Sequence, residues 1–208
     1  LTVTFGLMIG GHSSAQTPAG APTRPPIETT KVEGTDNVYI FRNGNSQSMF
    51  IVTSEGVIAT DPVGYGRPQG GAAYLAEIRK VTSQPIRYLI YSHHHFDHVA
   101  GGAAFKEAGA RIVAHRRAKE RLEVLKDPNT VLPDETVDAR RTITLGGTAV
   151  ELTYVGPNHS DSTLVMRLPQ DRLKATMAHL ASAGPRDFYE GDLAKSLAAD
   201  IQDAGGAL

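Results

Sequence analysis

The stretch Tyr91-Ser92-His93-His94-His95-Phe96-Asp97-His98-Val99-Ala100-Gly101-Gly102 sets four potential metal ligands, His93, His95, Asp97 and His98, between an apolar run at 86–91 and a small-residue run. That is how a metal site is built at the end of a buried strand. On extended backbone, residues two apart point the same way, so His93 and His95 can close on one ion while His94 faces elsewhere. Asp97 and His98 then turn toward a neighbouring position as the chain bends into a helix. Imidazoles with a carboxylate suit zinc, and a site that keeps one position for water can turn that water into hydroxide near neutral pH. Four of the eight histidines lie within these six residues, and Phe96-Asp97 interrupts them far from either terminus, unlike a purification tag.

Downstream, Gly156-Pro157-Asn158-His159-Ser160-Asp161-Ser162 supplies a second histidine-bearing loop. With both motifs in this order, residues 30–173 resemble the metallo-beta-lactamase superfamily, whose signature is His-x-His-x-Asp-His after a strand. The resemblance implies an α/β fold, the metallo-beta-lactamase-like αββα sandwich. It also implies that His93, His95 and His159 hold one ion while Asp97 and His98 help hold a second. The implied activity is that of a zinc-dependent hydrolase using metal-bound hydroxide to attack an ester, amide or lactam carbonyl, a beta-lactam among them, with Asp97 orienting the nucleophile. Iron redox chemistry on the same fold ranks lower, because the flavodiiron version has glutamate where His95 stands and no flavin domain is recognisable.

Composition agrees with one sizeable core, at 208 residues and 40% hydrophobic content. A net charge of -1 with no basic stripe gives no case for nucleic acid, and the partner that the resemblance implies is a small-molecule substrate. The absence of cysteine excludes disulfides, cysteine–zinc sites and cysteine nucleophiles. No Gly-x-Ser-x-Gly elbow is present, which disfavours serine hydrolysis. Residues 1–11 are apolar, too few to span a bilayer, and run into Ser13-Ser14-Ala15-Gln16, which is like a signal-peptidase site. They read as a clipped signal peptide, with an ordinary hydrophobic strand as the alternative. The Pro-, Ala- and Gly-rich stretch to residue 26 reads as a linker. A periplasmic or secreted protein without a membrane span in its mature chain is the expectation.

The pattern between these landmarks is strand-rich, then mixed. Strands are expected at 38–42, 48–53 and 56–60, the first two around Asn43-Gly44 with a connection longer than the minimal turn. A helix at 71–80 and a strand at 86–91 lead to the histidines. A helix at 100–108, a strand at 111–114 and a charged helix at 117–125 follow, broken by Asp127-Pro128-Asn129. Strands at 142–145, 149–155 and 163–168 complete the second β-rich half. Gly64-Tyr65-Gly66 with Gly70-Gly71 sits where a phosphate loop would, but its spacing fits no nucleotide pattern and a plain loop is favoured. Asp61 at its strand end either orients a ligand histidine or caps a turn. His12, His94 and His115 read as ordinary.

After Asp171 the pattern departs from the family. The aspartate that bridges two metals and the last histidine are not recognisable in Leu173-Lys174-Ala175-Thr176-Met177-Ala178-His179-Leu180. Residues 178–208, notably Asp187-Phe188-Tyr189-Glu190-Gly191-Asp192-Leu193-Ala194, resemble a helical stretch of the gamma-glutamyltransferase family without its catalytic threonine region. The expected organisation is therefore 1–26 signal and linker, 27–173 metallohydrolase domain, incomplete in its C-terminal half, and 174–208 helical tail. Asp192, Asp200 and His179 are weighed as replacement ligands against solvated-face or capping roles, and the latter are favoured. One zinc ion rather than two follows, with a metal-binding but catalytically impaired remnant as the alternative function. Exposed strand edges would invite self-association.

Overall fold

The structure is a computed structural model that describes residues 26–169. The expected signal segment, nearly all of the linker, the tail at 174–208 and the candidates His179, Asp192 and Asp200 lie outside the described residues.

The chain begins as an antiparallel meander of β1 (Ile27–Lys31), β2 (Val38–Asn43), β3 (Ser46–Thr53) and β4 (Gly56–Thr60). The β2–β3 connection is shorter than expected. Asn43 pairs with Ser46, leaving Gly44 and Asn45 as a two-residue loop, and Gly44 takes φ +60° as the first central residue of a primed turn. From β4 the sheet turns parallel, through β5 (Ile86–Ile90), β6 (Arg111–His115) and β7 (Glu135–Val137). Parallel neighbours need crossovers, here α1 (Gly70–Val81), then α2 (Phe96–Val99) with α3 (Gly102–Glu107), then α4 (Arg116–Leu125). The seven strands lie in sequence order. A second sheet of β8 (Arg140–Leu145), β9 (Thr148–Tyr154) and β10 (Leu164–Arg167) is antiparallel in the order β10-β9-β8.

Burial explains this layering. Every residue of β4 is buried, as expected of a strand covered on both faces. One face of the large sheet packs Phe41, Phe50, Ala59 and Leu89 against Tyr74 and Ile78 of α1, Phe105 of α3 and Leu122 of α4. The other face packs Ile51, Ile58, Ile90 and Val113 against Ile143, Val150, Leu152 and Leu164 of the small sheet. A helical layer and two sheets of the αββα sandwich are thus in place, and among the described residues no helix follows β8.

Three elements escaped the sequence reading: β1, α2 and β7. The expected 100–108 helix is also later and shorter, because Gly101 takes φ +94° and separates α2 from α3. The glycines near residue 64 have a packing reason. A Cβ on Gly64 would approach the Ala100 carbonyl oxygen to 2.7 Å, and one on Gly71 would collide with the Gly101 carbonyl. The loop before α1 therefore lies directly against the α2–α3 joint, which is the plain-loop reading of this motif with a structural purpose.

Candidate metal centre

The carboxyl ends of β4 and β5 converge beside the α2 joint, the usual place for a ligand site in a parallel sheet. Asp61 follows β4 and is 6% exposed. Its Oδ1 accepts from the Ser92 N–H at 2.7 Å, while Oδ2 accepts from the Ser92 hydroxyl at 2.5 Å and contacts His98 Nδ1 at 2.9 Å. The Ser92 hydroxyl also lies 2.9 Å from His93 Nδ1. Asp61 thus takes the orienting role, acting on His98 directly and on His93 through Ser92. Val63, two residues on, is held at φ +43°, uncommon for a β-branched side chain, and its N–H donates to the His98 carbonyl at 3.2 Å.

The strand-end geometry brings His93 and His95 together, and the β9–β10 loop adds His159. One ring nitrogen from each of the three lies within 4.8 Å of the others. The rings of His93 and His95 are 4.6 Å apart, those of His93 and His159 5.0 Å, and those of His95 and His159 4.9 Å. With Nδ1 engaged by Ser92, His93 Nε2 is buried and has no hydrogen-bond partner. A buried imidazole nitrogen is normally satisfied. Its orphan state within a histidine trio is what a metal ligand requires, so these residues fit a divalent ion. Zinc–nitrogen bonds of about 2.1 Å place two ligands on one ion no more than about 4.2 Å apart, a span close to the 4.8 Å within which the three ring nitrogens lie.

Electrostatics separates the histidines. Burial, aided by the neighbouring His98, pushes His93 down to about 4, so its ring is neutral across the physiological range. Burial and His95 also lower His94. His98 moves the other way, raised by its hydrogen bond to Asp61 despite burial.

Asp97 and His98 are placed outside the trio. Asp97 is on α2 with its side chain 65% exposed, and its Oδ2 is 3.6 Å from His98 Nε2. The His98 ring lies 4.1 Å from that of His93. His94, read as ordinary, is bonded through Nδ1 to Ser162 at 2.8 Å. His115 caps α4, accepting from the Arg117 N–H at 3.2 Å. Beside the centre, a groove of about 440 Å³ is bordered by Tyr65, Phe96, Ala100, Asp127 and Asn129. The rings of Tyr65 and Phe96, both bordering it, stack with centroids 6.4 Å apart.

Comparison with known proteins supports the sequence resemblance. The family model of the metallo-beta-lactamase superfamily matches residues 42–174, and that of gamma-glutamyltranspeptidase matches residues 154–208. The chain is 26% identical over 168 residues to the 2,4-dinitroanisole O-demethylase subunit alpha of Nocardioides sp. (strain JS1661), covering 80% of this chain and 50% of that protein. It is 23% identical over 173 residues to the metallo-beta-lactamase type 2 of Elizabethkingia meningoseptica, covering 79% and 66%. The chain therefore spans half to about two thirds of these relatives. Among solved structures, a metallo-beta-lactamase from Pontibacter korlensis matches with TM-score 0.60 and 24% identity over 69% of this chain and 67% of that one. The native metallo-beta-lactamase FEZ-1 from Legionella gormanii gives 0.57 and 21% over 73% and 62%.

Proposed function

We propose that this chain, which belongs to the metallo-beta-lactamase superfamily, is a zinc-dependent hydrolase of ester, amide or lactam bonds in small molecules. The observation that carries this reading is the partnerless, buried His93 Nε2 within the trio of His93, His95 and His159. A zinc ion held by these three imidazoles would lower the pKa of a water and polarise a carbonyl oxygen.

The protein's own groups would divide the remaining work. Ser92, itself held by Asp61, fixes the His93 ring so that Nε2 faces the other two. Burial keeps that ring neutral, the form with a free lone pair. The exposed Asp97 carboxylate is assigned the catalytic role of orienting the attacking water and accepting its proton. Asp97 and His98 would also supply the weaker position for a second ion. The groove beside Phe96 would receive the body of the substrate, with the Tyr65–Phe96 pair as its apolar wall.

A second reading is a metal-binding but catalytically impaired remnant. It is favoured by the lack of a recognisable bridging aspartate at 173–180. Export to the periplasm or medium, from the sequence of residues 1–16, belongs to the proposal too.

The test is metal analysis of the purified chain together with turnover of a chromogenic lactam, a simple ester and an aryl methyl ether. The first two substrates follow from the proposed chemistry and the third from the demethylase relative. Zinc-dependent turnover lost in Asp97→Ala supports the hydrolase. Zinc bound without turnover of any substrate selects the impaired reading.

A further inference from the structure

His159 is the exposed member of the trio, and it sits on the loop between β9 and β10 rather than on a strand or helix. An exposed loop ligand must be held by its flanks. The bonds within the loop are short-range: Asn158 N–H to the Ser160 carbonyl at 3.1 Å, and Ser162 N–H to the Ser160 hydroxyl at 3.0 Å. Two side-chain links reach outward. His94 Nδ1 meets the Ser162 hydroxyl at 2.8 Å, and Arg121 of α4 donates to Asp161 Oδ2 at 2.6 Å. His94 also lies 3.9 Å from Asp161 Oδ1, so the two links adjoin. The backbone adds one more tie, from the Leu164 N–H to the Ser92 carbonyl at 2.8 Å.

The placement of these links matters. Ser162 is fully buried, three residues beyond His159, while His94 stands between His93 and His95. One hydrogen bond therefore couples the segment carrying two members of the trio to the loop carrying the third. We propose that the His94–Ser162 bond, braced by Arg121–Asp161, is a latch that positions His159 for metal binding. His94, Ser162, Arg121 and Asp161 are then positioning residues, not ligands. The inference rests on the trio being a metal site. Since Arg121 is 57% exposed, its ion pair is screened and secondary, and the bond at buried Ser162 is the stronger tie.

The test uses the full chain with zinc and cobalt(II) as probes, titrated against a chromophoric chelator, beside thermal melting of the metal-free protein. Ser162→Ala and His94→Ala are each expected to weaken zinc binding by about tenfold, the lower range for groups that orient ligands. Because both remove the same bond, the double variant should weaken it no further. His94→Asn, which returns a polar atom at the Nδ1 position, should restore most of the affinity. Arg121→Gln, on the surface, should cause a smaller loss. Cobalt(II) absorption should change in the weakened variants, while metal-free melting falls only by the few degrees expected for loss of one buried hydrogen bond.

Wild-type affinity in Ser162→Ala would overturn the latch, as would losses that multiply in the double variant or an affinity in His94→Asn no better than in His94→Ala. If wild-type protein binds neither zinc nor cobalt, the trio reading falls and the latch with it. If wild type binds and only the variants fail to differ, the latch alone falls.

Discussion

Asp61 Oδ2 lies 2.9 Å from His98 Nδ1, joining the end of β4 to the short helix that follows the histidine run. The same carboxylate holds the Ser92 N–H and hydroxyl. One side chain therefore sets the backbone at the end of β5 and the ring of His98. Because Nδ1 is engaged, His98 presents Nε2 toward Asp97.

Removing this anchor should be costly. Asp61→Ala leaves three donor groups without their acceptor in a largely buried position, an expected loss of about 3 kcal/mol in urea unfolding. The pH dependence has a defined sign. His98 is raised in the folded state, so its contribution is fully present below the unfolded value of about 6.5 and is lost as pH rises through the folded value. The gap between wild type and Asp61→Asn should therefore narrow as pH rises above about 6.5. A gap that widens instead would contradict the Asp61–His98 pairing.

His93 has the opposite sign. Its folded value is about 4, below an unfolded value of about 6.5, so the unfolded chain binds the proton first. Metal-free protein should lose stability as pH falls from about 6.5 toward 4, and His93→Phe should flatten that slope. Parallel melting curves for the two proteins over this window would show that His93 is not held neutral.

The interface between the sheets should respond to truncation. Ile90→Ala, at a side chain with no exposure, is expected to cost about 3–4 kcal/mol, whereas Val165→Ala, at 40% exposure, should cost about 0.5 kcal/mol or less. Equal losses at the two positions would contradict the two-sheet core.

Close packing beside the site makes a further demand. Gly71→Ala directs its methyl into the Gly101 carbonyl and should destabilise by about 1–3 kcal/mol. Gly66→Ala meets no atom within 4 Å but stands at φ +67°, so only its backbone strain, about 1 kcal/mol, applies. Chemical denaturation of the two variants separates steric from conformational cost.

Much of this was legible in the sequence because its signals are local. The buried run 86–91 and the period-two spacing of His93 and His95 foretell a strand ending in a histidine pair, and the structure shows both rings within 4.6 Å. β7 is only three residues long and β1 has no fully buried residue, so neither carries a clear hydrophobic period. The helix boundary at Gly101 was hidden because left-handed backbone leaves no mark in a run of small residues. His94 reads as ordinary because its partner, Ser162, is distant in sequence and joined only by the fold. Spacing alone leaves Asp61 between two roles, because its bonds to Ser92 and His98 join residues distant in sequence.

The central claim, that His93, His95 and His159 form the principal metal site, is tested most directly by the zinc content of the purified full chain and of its single alanine variants at these positions. The account predicts one tightly held zinc ion in the wild type and loss of stoichiometric zinc in His95→Ala and His159→Ala, because three imidazoles with an open position are the minimum for such a site. Unchanged zinc in either variant, or two tightly held ions in the wild type, would contradict it.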